Sequence, residues 1–369
     1  LFHHLTFRSL PAPLTLFNSV YKLHAGEFIN YDLRTKKMCK SFFWNPLNTK
    51  AEKPKTLGDA HDILDELLSQ SIKDRMVSDV PVGVFLSGGL DSGFILEKLY
   101  RMNYKVDSFT VTYPKYKQYD ESASAERIAL RAKSKHHMVP LDENEFISLL
   151  AKVSYYQEEP VSAPVCLPVF QLASEARKNN VPVILAGEGS DEIFIGYQNW
   201  IKLRKAQKLS DTVSFLGLGL LGKMVSSFSE LFSSTFSIYP EIVSRIGSKK
   251  RLFWGGAMDF SGTAKRNLLL KKYEYSTYEK IIEPYWNEFI DKSDQNDITG
   301  WMTYIDLRFR LPELMLSRLD KMCMAHSIEG RVPFLDHRII EFIMNLPPEW
   351  RSNSGNKTKA IFKSVSERY

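Results

Sequence analysis

Two short stretches carry residue types at a spacing that could do chemistry. The first, Ser87-Gly88-Gly89-Leu90-Asp91-Ser92, follows the apolar run Val82 to Leu86 and precedes Phe94, Ile95, Leu99 and Tyr100 at helical spacing. It therefore joins a buried strand to a helix. Adjacent glycines let the backbone turn sharply and come close to a ligand, while the new helix points its unpaired N–H groups and positive dipole end into the turn. Those are the properties of a phosphate cradle. The stretch lacks the Lys-Ser/Thr ending that grips β- and γ-phosphates in the ATPase loop, and instead sets a carboxylate, Asp91, among the donors. An anion site that contains a carboxylate needs a metal ion. The second stretch, Ala186-Gly187-Glu188-Gly189-Ser190-Asp191-Glu192, follows another strand-like run and packs three acids into a tight turn. Carboxylates this close repel one another unless a cation or a proton transfer uses them.

The surrounding pattern supplies elements to position both stretches. An amphipathic helix is expected over 57–76, with Ile63, Leu64, Leu67, Leu68 and Ile72 on one face. Strands are expected at 82–86, 106–113, 137–141 and 181–186, with helices at 121–133, 145–156 and 169–177 between them. Strands alternating with helices predict an α/β fold with a doubly wound parallel sheet, whose ligands gather at the carboxyl ends of the strands. Asp91, Tyr113 and Glu188 all fall at or just past such ends. Phe43 to Thr56, polar and lysine-rich with Pro46 and Pro54, reads as a linker after a hairpin around Phe28. Residues 211–295 are helical in pattern and carry no readable function; the Ser/Phe run 226–237 fits a surface helix or a lid.

Composition narrows the class. The chain has 369 residues, 44% hydrophobic and 25% charged, which is that of an ordinary soluble protein with a sizeable core. The net charge of +6 comes from basic and acidic residues interspersed along the chain, without the dense basic block of a nucleic-acid-binding surface. Cys39, Cys166 and Cys323 are odd in number and far apart, which points to a reducing, cytoplasmic setting and away from a structural zinc site. The apolar run 213–221 is too short to span a bilayer. Neither end carries a start or stop signal, so the chain is expected to be a fragment cut at both ends.

The first stretch resembles the pyrophosphate loop of the N-type ATP pyrophosphatases. Together with Phe194, Gly196 and Tyr197, the second resembles the Ser-Gly-Glu-Gly-Ser-Asp-Glu-x-Phe-x-Gly-Tyr block of the glutamine-hydrolysing asparagine synthetases, with Ala186 for Ser and Ile195 for Gly. Tyr21-Lys22-Leu23 ahead of Gly26 resembles the closing strands of the glutaminase domain in that family. Glu329 to Asp336 resembles its C-terminal block, and Gly355 to Lys363 resembles its Lys-x-x-Leu-Arg segment, with Phe362-Lys363 for Leu-Arg.

The resemblance implies an ATP pyrophosphatase-type (adenine nucleotide alpha hydrolase-like) domain over 46–369, shortened at its C-terminus, after a glutaminase remnant over 1–45. It places Asp91 and Asp191 on Mg2+ and pyrophosphate, and Glu188 near the acceptor carboxyl and the attacking ammonia. Lys359 would reach the phosphates, with Lys357 as the competing register. Leu86, Ser87, Gly88, Gly89, Asp91, Ser92, Val111 and Gly187 would bind ATP or its pyrophosphate. Leu86 and Val111 also suit a plain core, and Arg331 suits ion pairing within packed helices better than substrate contact. Leu314, Leu319, Met322 and Met324 are expected to form the buried stripe of a helix. The implied reaction is amidation of a carboxylate, L-aspartate first among candidates, through an acyl-adenylate. In the parent, ammonia would come from a glutaminase domain whose N-terminal cysteine no residue here matches. Acceptors such as a sugar acid, a peptide or a β-amino acid, with 161–164 as the place for an altered acceptor pocket, form one alternative. A non-catalytic ATP-binding protein is another; a tRNA-modifying relative would need a basic surface and cysteine pairs that the sequence lacks. No nucleic acid or membrane partner is expected, and a homodimer is left open.

Overall fold

The computed structural model describes residues 1–48, 53–160, 163–215, 279–293, 298–352 and 357–369, with residues 242, 245, 251–256, 259–260, 264–265 and 268–270. The run at 226–237 and residues 161–162 of the expected acceptor segment lie outside the described residues. The strands in chain order are β1 (Glu27–Tyr31), β2 (Met38–Phe42), β3 (Val82–Phe85), β4 (Asp107–Thr112), β5 (Lys135–Pro140), β6 (Val183–Leu185) and β7 (Glu329–Arg331). The helices begin with α1 (Phe2–Phe7), α2 (Leu57–Asp74), α3 (Leu90–Arg101), α4 (Ser122–Arg131), α5 (Glu143–Gln157), α6 (Cys166–Lys178), α7 (Ser190–Phe194) and α8 (Gln198–Phe215). They continue with α9 (Glu279–Lys292), α10 (Ile298–Arg308) and α11 (Ser317–Met324). The chain divides into two compact units, one of residues 52–191, 315–343 and 360–369, the other of 1–51, 192–314 and 344–359.

The first unit is the α/β part. Its five strands run parallel in the order β5-β4-β3-β6-β7. The chain moves outward from β3 through α3 to β4 and through α4 to β5, then returns by α5 and α6 to β6 on the other side of β3. Right-handed crossovers therefore put the two sets of helices on opposite faces, and the direction of winding reverses beside β3. Thr56 and Asp59 close a capping box on α2, and Asp142 and Glu145 close another on α5. The core on the α5–α6 face joins Phe85, Phe109, Val139 and Ile184 of the sheet to Val153, Phe170 and Leu319 of the helices.

Strand β7 has no counterpart in the sequence reading. Its residues, Glu-Gly-Arg, show no apolar alternation; the strand exists because β6 offers an edge. Glu329 N–H donates to the Pro182 carbonyl at 2.8 Å, and Ala186 N–H donates to the Arg331 carbonyl at 2.8 Å. The stripe expected at Leu314, Leu319, Met322 and Met324 is also corrected. Leu319, Met322 and Cys323 are buried, Leu314 is half-buried and Met324 is exposed. Leu314 and Met324 each stand five residues from Leu319, about 140° round an α-helix and so off its buried face; Leu311–Leu316, which carries Leu314, is wound as a π-helix. Met324 sits in the last turn, outside the stripe.

The second unit is largely helical, with an aromatic core of Trp200, Phe253, Phe289, Trp301, Tyr304 and Phe309. The hairpin expected around Phe28 is present as β1 and β2, paired antiparallel from Glu27↔Phe42 to Tyr31↔Met38. Nearly every residue of both strands is exposed.

Candidate active site

The first unit builds one cavity at the carboxyl ends of its central strands. Beyond β3, Leu86 N–H donates to the Phe109 carbonyl at 2.9 Å and Thr110 Oγ1 donates to the Leu86 carbonyl at 2.5 Å, which extends the sheet by one residue into the loop. Gly88 then takes a φ of 76°, and a Cβ there would meet the Glu121 carbonyl oxygen at 2.8 Å. Only glycine makes this turn without strain. Ser92 Oγ accepts from Ser87 N–H at 3.0 Å and lies 3.1 Å from Ser87 Oγ, so the two serines of the motif brace the loop from either end.

The second loop fits directly onto the first. A Cβ at Gly187 would stand 3.0 Å from Asp91 Cβ and 3.3 Å from Ser92 N. The missing side chain is what lets the two turns touch. Ser190 Oγ then donates to Asp91 Oδ1 at 2.9 Å, turning one carboxylate with a hydroxyl supplied 99 residues later. Gly189, at a φ of 89°, leaves no room for a Cβ against Leu335.

The resulting cavity measures about 360 Å³. Leu86, Ser87, Asp91, Ser92, Val111, Gly187, Glu188 and Asp191 line it, so most of the sequence-predicted residues meet on one wall system. Gly88 and Gly89 instead line a second cavity behind the loop, with Gly93 and Phe94. Their contribution to the first cavity is the shape of the turn. Tyr113 also lines the site; burial, with a smaller push from Asp120, raises its hydroxyl above the ordinary value. Val165, Pro168, Val169, Leu172 and Leu319 add an apolar wall.

Asp91 and Asp191 offer hard oxygen donors on one cavity, which suits Mg2+ held by one or two carboxylates and completed by substrate phosphates. Among the described residues no cluster of three or more His, Cys, Asp or Glu could hold a metal ion unaided. A metal here would share its coordination with the nucleotide.

Lys359 belongs to the other unit, where it is 9% exposed and its N–H donates to the Phe194 and Ile195 carbonyls at 3.1 and 3.3 Å. Lys357, the competing register, is exposed. Glu192, the last acid of the motif, is fully buried in that same unit. Burial pushes its carboxyl up to about 7, which Arg310 at 3.5 Å and the Tyr197 hydroxyl at 2.5 Å only partly offset. Arg331 has the structural role the sequence favours: it pairs with Glu329 and donates to the Arg75 and Val77 carbonyls.

Two contacts at the site were not legible beforehand. One is Ser190 on Asp91; the other is Arg318, whose Nη2 donates to Glu188 Oε1 at 3.2 Å. A signal for Arg318 did exist. It stands four residues before Met322, on the buried face of α11, where a charge has to be used or paired.

Known proteins resemble this chain over most of its length. Asparagine synthetase [glutamine-hydrolyzing] 1 of Bacillus subtilis is 27% identical over 99% of this chain and 55% of its own length. A putative asparagine synthetase [glutamine-hydrolyzing] of Mycobacterium tuberculosis is 30% identical over 94% of this chain and 51% of its own. Amidase chry2 of Gibberella zeae is 24% identical over 94% of this chain and 55% of its own length. The chain spans about half the length of these curated relatives. The family described as asparagine synthase matches residues 63–369, a range that holds both loops, every residue lining the cavity, and Lys359. With the match covering most of its length, the chain belongs to the asparagine synthase family.

Proposed function

We propose that this protein amidates a carboxylic acid at the expense of ATP, by way of an acyl-adenylate. The observation that carries the reading is the convergence of two strand-end loops, which sets Asp91, Glu188 and Asp191 around one cavity with Leu86 and Val111. A carboxylate oxygen of the acceptor attacks the α-phosphorus of ATP and pyrophosphate leaves with the bonding electrons. Ammonia then attacks the acyl carbon; the C–N bond forms, the C–O bond to AMP breaks, and the proton lost from nitrogen passes to Glu188. Leu86, Val111 and Gly187 hold the nucleoside, while Ser87, Gly88, Gly89 and Ser92 hold the loop that receives pyrophosphate. Asp91 and Asp191 would hold Mg2+, which supplies charge neutralisation on the phosphates. Lys359 is assigned to the same phosphates.

L-Aspartate is the proposed acceptor, in line with the names of the synthetase relatives, and ammonia would come from glutamine in a longer parent whose glutaminase domain ends within residues 1–45. The match to an amidase supports a second reading, in which the same chemistry serves another acid. ATP–pyrophosphate exchange on the full-length parent, with Mg2+ and a panel of L-aspartate, uronic acids and peptide acids, tests both. Exchange that needs L-aspartate, with asparagine formed on adding ammonia, is expected. Exchange with another acid alone would move the assignment to that acid, and no exchange with any would overturn amidation.

A further inference from the structure

Glu188 lines a cavity whose described wall also carries Asp91, Glu121 and Asp191. Four carboxylates around one space repel each other, and a carboxylate meant to receive a proton must also be held in one direction. Arg318 answers both needs from behind the wall. It is 7% exposed, and its Nη2 donates to Glu188 Oε1 at 3.2 Å. Among the described residues its guanidinium hydrogen-bonds no other group, and its Nε is buried without a partner. A guanidinium used as scaffold looks different, as Arg331 demonstrates by pairing with Glu329 and tying two backbone carbonyls at the end of α2.

The helix that carries Arg318 is firmly seated. Leu319, Met322 and Cys323 are buried, and Lys321 Nζ donates to the Gln157 carbonyl at 2.7 Å, which fixes α11 to the end of α5. Leu319, the next residue, lines the cavity itself. The guanidinium is thus delivered by a rigid element to a single carboxylate of the site.

We propose that Arg318 is a positioning residue for amide formation, holding the Glu188 carboxylate turned to the cavity and counter-charged while nitrogen attacks. The proposal rests on the amidation reading, and Arg318 acts through Glu188 without touching the substrate. The test is a double-mutant cycle on the full-length protein, with amide formation and ATP–pyrophosphate exchange read separately. Arg318→Gln should lower kcat for amide formation about 10- to 100-fold, the usual cost of losing a partner that orients a functional group. The KM for ATP should change by less than about threefold, because uniform binding is untouched. Arg318→Lys should recover part of the loss, since it restores charge without the fork.

The deciding result is the double variant Arg318→Gln/Glu188→Gln, expected within about twofold of Glu188→Gln alone, because a residue that acts through another adds nothing once that other is gone. Losses that multiply would overturn the positioning role while leaving the amidation reading intact. Absence of exchange in the unmodified protein, with every acid offered, would overturn the amidation reading and the positioning role with it. If Arg318→Gln fails to fold, Arg318→Met, which keeps the packed stem, gives the same cycle.

Discussion

Asp91 and Glu188 sit on one cavity yet are held by different chemistry, a serine hydroxyl on the first and a guanidinium on the second. Under the proposed reaction their loss should differ too. Asp91→Asn keeps the shape of the loop and removes the charge that would share a metal with pyrophosphate, so exchange is expected to fall about 100- to 1,000-fold with the far-ultraviolet circular dichroism unchanged. Exchange near the unmodified rate would refute the metal assignment. Glu188→Gln should depress amide formation more than ATP binding, which competition with a nucleotide analogue would read out. Ile195 offers a different kind of test. It is 2% exposed and takes a φ of 59°, a backbone region that β-branched residues rarely adopt. Both Ile195→Ala and Ile195→Gly lose the buried side chain, but only glycine is unstrained at that φ, so the glycine variant should be the more stable by about 1 kcal/mol. Thermal unfolding that ranks alanine above glycine would contradict this backbone assignment.

The elements around the site are tied by charges far apart in sequence. Asp336, just beyond the short 3₁₀ turn Pro333–Leu335, receives Arg75 Nη1 at 3.0 Å from the end of α2, and Arg338 Nε and Nη2 at 2.8 Å each. Burial alone would raise its carboxyl, but these hydrogen bonds outweigh burial and hold it well below the usual carboxylate range. A depressed folded-state pKa contributes stability that is fully present above the unfolded value of about 3.9 and is lost as pH falls through the folded value. Asp336→Asn should therefore cost about 2 kcal/mol at neutral pH, with the gap to the unmodified protein closing only in strong acid. Denaturant unfolding at pH 7, 4 and 2.5 reads this directly, and a gap independent of pH would count against the ion pairs. Glu192 carries the opposite sign. With its carboxyl pushed up to about 7, folding is opposed as pH rises from about 4.3 through 7, and Glu192→Gln should flatten that slope.

For the whole chain, the three cysteines bear on the source of nitrogen. Burial raises the Cys166 thiol and pushes that of Cys323 up to about 12, so neither supplies a thiolate nucleophile near neutral pH. Cys39 is exposed on β2, opposite Asn30. Under the proposed reaction, amide formation with ammonium chloride is therefore expected to need neither Cys166 nor Cys323 as a nucleophile, and Cys166→Ser should keep product per AMP released within about twofold of the unmodified protein. A loss of more than about tenfold in that ratio would contradict this.

Local signals along the chain were enough for the α/β class, for four strands of the described parallel sheet, and for both loops of the cavity. Each of these rests on local signals: apolar runs of strand length, helical spacing, and glycines at turns where a side chain has no room. That Asp91, Glu188 and Asp191 fall on one cavity was legible for the same reason, because a motif records residue types in fixed order. What reaches across the fold came only from packing. Strand β7 forms on an edge offered by β6, the hydroxyl on Asp91 comes from 99 residues away, and the guanidinium on Glu188 comes from 130 residues away. Such contacts have no period in the sequence, since the distance between their partners along the chain is set by the elements that intervene. The expected stripe failed at Leu314 and Met324 for a local reason instead: each stands five residues from the buried Leu319, about 140° round the helix, so helical spacing puts neither on the packed face.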